Sequence, residues 1–214
     1  MNYTTISLDT WPRRDIFRHF INDLRCIISI TSEIDVSRVI YYCKKNNYDF
    51  YPIILYIITK SLNKRDEFKI GYDVNGNLIL WDYISPSHID FNLDDELVTR
   101  LVTEFIPDID LFHKRVRNDM DSNKQKRGFE IEYNIQNTFD ASCIPWINYS
   151  SCELHVFNEG TYLRPIITWG KYEKKNGKVM MPLTMRIHHA VADAFHISRF
   201  YSDVENEILS LSTM

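Results

Sequence analysis

Two adjacent histidines, His188 and His189, close an apolar run that begins at Val179, and Asp193 follows four residues after the second. A neutral imidazole is the side chain best suited to accept a proton near pH 7, so a presented histidine here could serve as a general base. The run has β character, and in a strand neighbouring side chains point to opposite faces. The two rings therefore cannot share one role: one is packed and the other opens onto a cavity. A single histidine is more often a satisfied core or surface residue. A pair at a strand end, with an Asp at the start of a helical pattern, is more specific.

The elements that must position this pair can be read from the chain. Asp9 to Arg14 predicts an N-cap with Pro12 near the first turn, opening a short helix through Phe20. Leu24 to Thr31 is strand-like, and Asp35 is expected to cap a helix running to about Lys45. Ile53 to Leu62 is apolar nearly all round, which predicts a central helix begun by Pro52. Phe68–Tyr72 and Leu78–Trp81 predict a hairpin around Asn75-Gly76. Ser85-Pro86 is expected to break the pattern before a strand from Ile89 to Asn92, and Ile109 to Met120 to form a helix before a polar loop, Asp121 to Gly128. The second half predicts strands at Ala141–Ile144, Leu154–Val156, Ile166–Trp169 and Lys178–Ile187, then a helix from Ala194 to Leu209. The last two strands join through a turn at Lys174–Gly177. Helices with mostly antiparallel strands imply an α+β fold, a sheet covered by helices, in a single domain over residues 1–214.

Composition excludes several classes. Hydrophobic residues make up 44% and charged residues 25%, an ordinary globular balance, and 13 Tyr with 12 Phe imply an aromatic core. A net charge of −4 predicts no polyanion-binding surface, and Lys124-Gln125-Lys126-Arg127 reads as a solvated loop. Cys26, Cys43, Cys143 and Cys152 lack metal-finger spacing and are expected to be reduced thiols. With no basic, apolar leader and no run long enough to span a bilayer, the chain is expected to be soluble and cytoplasmic.

The run His188-His189-Ala190-Val191-Ala192-Asp193 resembles the HHxxxDG signature of the chloramphenicol acetyltransferase-like acyltransferases, with Ala194 at the usual Gly. Trp11-Pro12-Arg13-Arg14, Phe50-Tyr51-Pro52, Trp81-Asp82, Ser142 with Pro145-Trp146, Gly170-Lys171-Tyr172 and Met181-Pro182-Leu183 stand in the order of the chloramphenicol acetyltransferase family. That resemblance covers essentially the whole chain. It implies a two-layer sandwich of mixed, mostly antiparallel sheet with helices, a homotrimer with each active site at a subunit interface, and transfer of acetyl from acetyl-CoA to chloramphenicol, the basis of antibiotic resistance. No metal and no nucleic-acid or membrane partner is implied.

By the same resemblance His189 is the base, its ring held through Nδ1 by its own carbonyl, and His188 is structural. Ser142 is the oxyanion donor, and Thr168 positions a water beside the tetrahedral intermediate. Arg13 and Asp193 form a supporting salt bridge. Lys171 and Tyr172 contact coenzyme A, and Phe20, Cys26, Ile28, Val98 and Leu154 line the acceptor pocket. Ile28 and Val98 replace a frequent Phe, and Asp49 stands where familiar members carry a Lys near the 3′-phosphate of coenzyme A.

Other readings compete, the nearest being a related CoA-dependent acyltransferase with a different hydroxyl acceptor. The acyltransferase core of a 2-oxoacid dehydrogenase complex shares the motif but is expected to bring lipoyl and linker segments, and a peptide-synthesis condensation domain is about twice as long. A non-catalytic trimeric protein binding hydrophobic ligands would keep a pocket without turnover. Retention of His189, Ser142, Thr168, Arg13 and Asp193 together argues against it.

Overall fold

The computed structural model describes residues 2–129, 135–156 and 161–211. Its five α-helices are Arg14–Arg18 (α1), Ser37–Asn46 (α2), Phe50–Asn63 (α3), Ile109–Asn123 (α4) and Ala194–Ser210 (α5). The larger sheet carries, in spatial order, Ile27–Asp35 (β2), Lys178–His188 (β10), Ile166–Gly170 (β8), Thr138–Ile144 (β7), Ser85–Asn92 (β5) and Leu97–Val102 (β6). Glu173–Lys175 (β9) also pairs with β10, as the Asn176-Gly177 turn predicts. A smaller antiparallel sheet joins Tyr3–Thr5 (β1), Leu78–Trp81 (β4) and Ile70–Tyr72 (β3). In the larger sheet only β5–β7 and β7–β8 run parallel, so the expected mixed, mostly antiparallel character holds.

Period-two alternation gives the large sheet two unlike faces. On β10, Met181, Leu183, Met185 and Ile187 enter the apolar core with Ile167 and Trp169 of β8 and Phe139 and Ala141 of β7. Helix α3 belongs to this layer, buried from Pro52 to Thr59, and its Thr59 and Ser61 hydroxyls are satisfied by the Leu55 and Ile57 carbonyls. The other face presents Thr184, Arg186 and His188, buried although polar. Irregular chain lies over it: Tyr149 donates to the Thr168 carbonyl (2.7 Å), Ser29 to the Cys152 carbonyl (3.4 Å), and Tyr162 to Asp140.

Several expectations are corrected. The first helix begins at Arg14 rather than at Pro12 and passes into a π-helical turn, His19–Asp23. Asp35 ends β2 instead of opening a helix, although its carboxylate accepts the Ser37 N–H (3.0 Å). Ser85-Pro86 lies inside β5, where pairing with β6 reaches only Ser87, so the missing Pro86 N–H breaks no ladder on that side. Strand β6 was not expected at all. Leu154–Val156 is irregular and Leu154 half exposed, so the expected strand is not formed.

Candidate active site

His188 is the last residue of β10, buried at 3% exposure, and its Nδ1 accepts the Ala190 N–H (3.1 Å). Burial, with a smaller contribution from Arg186, lowers its pKa to about 4, so it is neutral near pH 7. His189 follows at the turn with its side chain 25% exposed. Its backbone N–H reaches the Cys26 carbonyl (2.9 Å), and its ring stacks on Phe20 with centroids 4.0 Å apart and planes 10° from parallel. Of the two rings, His188 is packed and His189 is partly exposed.

Arg13 clamps the turn after the pair. Its Nε donates to the Ala190 carbonyl (2.7 Å), Nη2 to the His189 carbonyl (2.9 Å) and to Asp193 Oδ1 (2.7 Å), and Nη1 to Asp193 Oδ2 (2.8 Å). Bonding to Arg13 is the main cause holding the Asp193 carboxyl below its usual range. Asp193 also accepts the His196 N–H within a capping box that starts α5. Ala194 does not adopt positive φ, so its methyl in place of the motif glycine brings no left-handed strain.

The ring contact differs from the expectation. His189 Nδ1 lies 3.1 Å from Asp193 Oδ1, close enough for a charge contact, yet it forms no aligned hydrogen bond among the described residues. The His189 carbonyl is meanwhile engaged by Arg13. Asp193 therefore sits beside the ring as well as supporting the turn.

Ser142 and Thr168 meet in register between β7 and β8, and Thr168 is opposite Thr184 on β10, which is opposite Thr31 on β2. The four make a row of hydroxyls on the polar face, with Thr31 and Thr184 oxygens 2.8 Å apart. This row is not at His189. Five residues along an extended strand separate Thr184 from His189, roughly 17 Å.

Lys171 and Tyr172 continue from β8 into a cleft of about 580 Å³ with Phe50, Tyr51, Phe91 and Trp146. The turn needs Gly170: a Cβ there would lie 2.8 Å from the Ile147 carbonyl oxygen and 2.9 Å from Pro182. Asp49 precedes α3 with its carboxylate half exposed, 3.4 Å from Arg117 Nε. The Asp49 N–H donates to His113 Nε2 (3.1 Å), which marks that nitrogen as unprotonated. Lys44, Phe50 and Tyr172 line an adjoining groove.

The acceptor-pocket residues divide. Phe20 and Cys26 touch His189 as described, and Ile28 pairs with Ile187, two residues before His189. Val98 is on β6 at the opposite sheet edge, five strand spacings or about 24 Å from β2. Leu154 is half exposed on irregular chain. Within one chain, then, His189 with Arg13, Phe20, Cys26 and Asp193 forms one group, Ser142 and Thr168 stand together on the polar face of the sheet, and Lys171 and Tyr172 line the cleft.

Among the described residues no helix is long and apolar enough to cross a membrane. Residues 1–205 match the family described as chloramphenicol acetyltransferase. Relatives include chloramphenicol acetyltransferases from Clostridium butyricum, 34% identical over 206 residues (96% of this chain, 94% of the relative), and from Staphylococcus aureus, 34% over 209 residues (97% and 100%). A solved chloramphenicol acetyltransferase structure superposes with a TM-score of 0.81 at 24% identity, covering 97% of this chain and 100% of that one. A probable dihydrolipoamide acetyltransferase from Listeria monocytogenes shares the fold at a TM-score of 0.66 and 11% identity, covering 97% and 95%.

Proposed function

Because this chain belongs to the chloramphenicol acetyltransferase family, we propose that it is an acyltransferase moving the acetyl group of acetyl-coenzyme A to a hydroxyl of chloramphenicol. The observation that carries the reading is His189: half-open, stacked on Phe20 and held at the strand end by Arg13 and the Cys26 carbonyl. Such a ring can take the hydroxyl proton as the alcohol oxygen attacks the thioester carbonyl, and return it to the departing thiolate. Ser142 donates to the oxyanion that forms between the two events, and Thr168 holds a water beside it. No acyl-enzyme is required, because both substrates are held together.

The cleft between Tyr51, Trp146 and Tyr172 supplies apolar walls for the pantetheine arm, and Lys171 at its mouth suits a phosphate. Since His189 and the Ser142–Thr168 row lie far apart in one chain, a complete site takes His189 from one copy and Ser142, Thr168 and Val98 from a neighbour. Repeated around a three-fold axis this gives a homotrimer with three interface sites, each chain contributing a single domain over residues 1–214. Four free thiols and the need for acetyl-coenzyme A fit work in the cytoplasm.

Thiol release from acetyl-coenzyme A, followed with and without chloramphenicol, tests the reading. Release that depends on chloramphenicol supports it. Binding of the drug without release would favour the non-catalytic ligand-binding protein.

A further inference from the structure

We propose that His88 is a positioning residue for the cofactor cleft, fixing the Tyr51 wall through a one-directional hydrogen-bond relay. The proposal rests on the acetyl-coenzyme A reading of that cleft. His88 lies on β5 with no solvent exposure, among the residues facing the helices. Its Nδ1 is 3.0 Å from the Tyr51 hydroxyl and its Nε2 is 3.0 Å from Thr103 Oγ1, which is 2.7 Å from Asp119 Oδ2.

The direction of the relay follows from the last member. An ionised carboxylate only accepts, so the Thr103 hydroxyl donates to Asp119. Thr103 Oγ1 then accepts from His88 Nε2–H, which leaves Nδ1 to accept the Tyr51 O–H. Burial takes the His88 pKa down to about 3, so the ring stays neutral and keeps this single tautomer. Tyr51, which also approaches the Ile89 carbonyl at 3.3 Å, lines the cleft and lies 5.4 Å from the Trp169 ring.

An apolar residue would fill the His88 site without desolvating two ring nitrogens. What the histidine adds is a fixed hydroxyl on Tyr51. The far end of the relay, Asp119 on α4, is anchored at the surface, where Arg115 stands 3.8 Å away.

Steady-state kinetics of His88→Phe, His88→Gln, Thr103→Val, Tyr51→Phe and the Tyr51→Phe/His88→Phe double variant test this. His88→Phe should raise KM for acetyl-coenzyme A about fivefold to tenfold, as expected for one lost buried hydrogen bond, with kcat within about twofold. His88→Gln, which can accept at one amide atom and donate at the other, should recover most of the loss. His88→Phe should add nothing to Tyr51→Phe. In the ligand-free wild type, ring nitrogen resonances should report one neutral tautomer protonated on Nε2.

An unchanged KM in folded His88→Phe, additive losses in the double variant, or a ring protonated on Nδ1 would each overturn the proposal. Should His88→Phe not fold, Thr103→Val decides, because it removes only the link to Asp119: KM must rise, and an unmoved KM refutes the relay. A wild type with no turnover would sink the cofactor reading and this role with it, whereas the ring spectrum separately decides the relay.

Discussion

Arg13 and Asp193, 180 residues apart in sequence, meet in a two-pronged fork with bonds of 2.7 and 2.8 Å. The same guanidinium takes the carbonyls of His189 and Ala190, so one side chain at the N-cap of α1 sets the path of the turn behind His189. The fork is only partly buried, with Arg13 13% and Asp193 36% exposed, so its worth is below that of a fully buried pair.

Asp193→Ala should cost about 2 kcal/mol and Arg13→Ala about 3, because Arg13 also releases two carbonyls. The double variant should cost little more than Arg13→Ala alone. Urea unfolding of the four proteins gives the coupling, and strictly additive losses would show the pair to be independent.

The two histidines should separate by readout. His189→Ala should abolish turnover, a loss of at least about 10²–10⁴-fold, with folding and acetyl-coenzyme A binding retained. His188→Ala should lower stability, since it removes a buried ring that accepts the Ala190 N–H. Equal catalytic loss at unchanged stability in both would reverse the assignment.

Acid should weaken the fold in two windows. The folded pKa of His188, about 4, lies below its ordinary 6.5, so the unfolded chain binds more protons between those values. Stability is full above 6.5 and falls as pH drops toward 4. Burial of His88 acts in the same direction, down to about 3. The depressed Asp193 carboxyl contributes above its ordinary 3.8 and loses that contribution as pH falls through its lower folded value. Urea midpoints from neutral pH to pH 4 should fall in the wild type and less steeply in His188→Gln.

Inactive chains should rescue one another. If His189 and Ser142 of a working site come from different copies, mixing His189→Ala with Ser142→Ala subunits by unfolding and reassembly leaves about a quarter of the sites intact. Activity should therefore reappear near that fraction. A mixture as inactive as its parents would place both residues in one subunit's site.

Asp49→Lys should lower KM for acetyl-coenzyme A by no more than about fivefold, and added salt should shrink the gain, because exposed charges are screened over ~8–10 Å. The wild-type carboxylate is partly offset by Arg117 at 3.4 Å, and Lys44 lines the groove beside Tyr172. A KM unmoved at low salt would remove residue 49 from the cofactor's surroundings.

The sequence by itself determined the strand ending in His188, the helix after Asp193 and the buried α3, because apolar period and caps are local properties. It also made the Arg13–Asp193 pairing readable through family resemblance, and the contact is present. Tertiary structure decided what local pattern does not encode. Ser85-Pro86 could become strand because the ladder to β6 ends at Ser87, whereas Leu154–Val156, strand-like in sequence, is irregular in the fold. His88 falls outside the strand expected from Ile89, and only the longer β5 with packing against Tyr51 and Thr103 makes it the centre of a relay. The separation of His189 from the Ser142–Thr168 row was likewise invisible, since register is fixed by long-range pairing of β7, β8 and β10 rather than by any one segment.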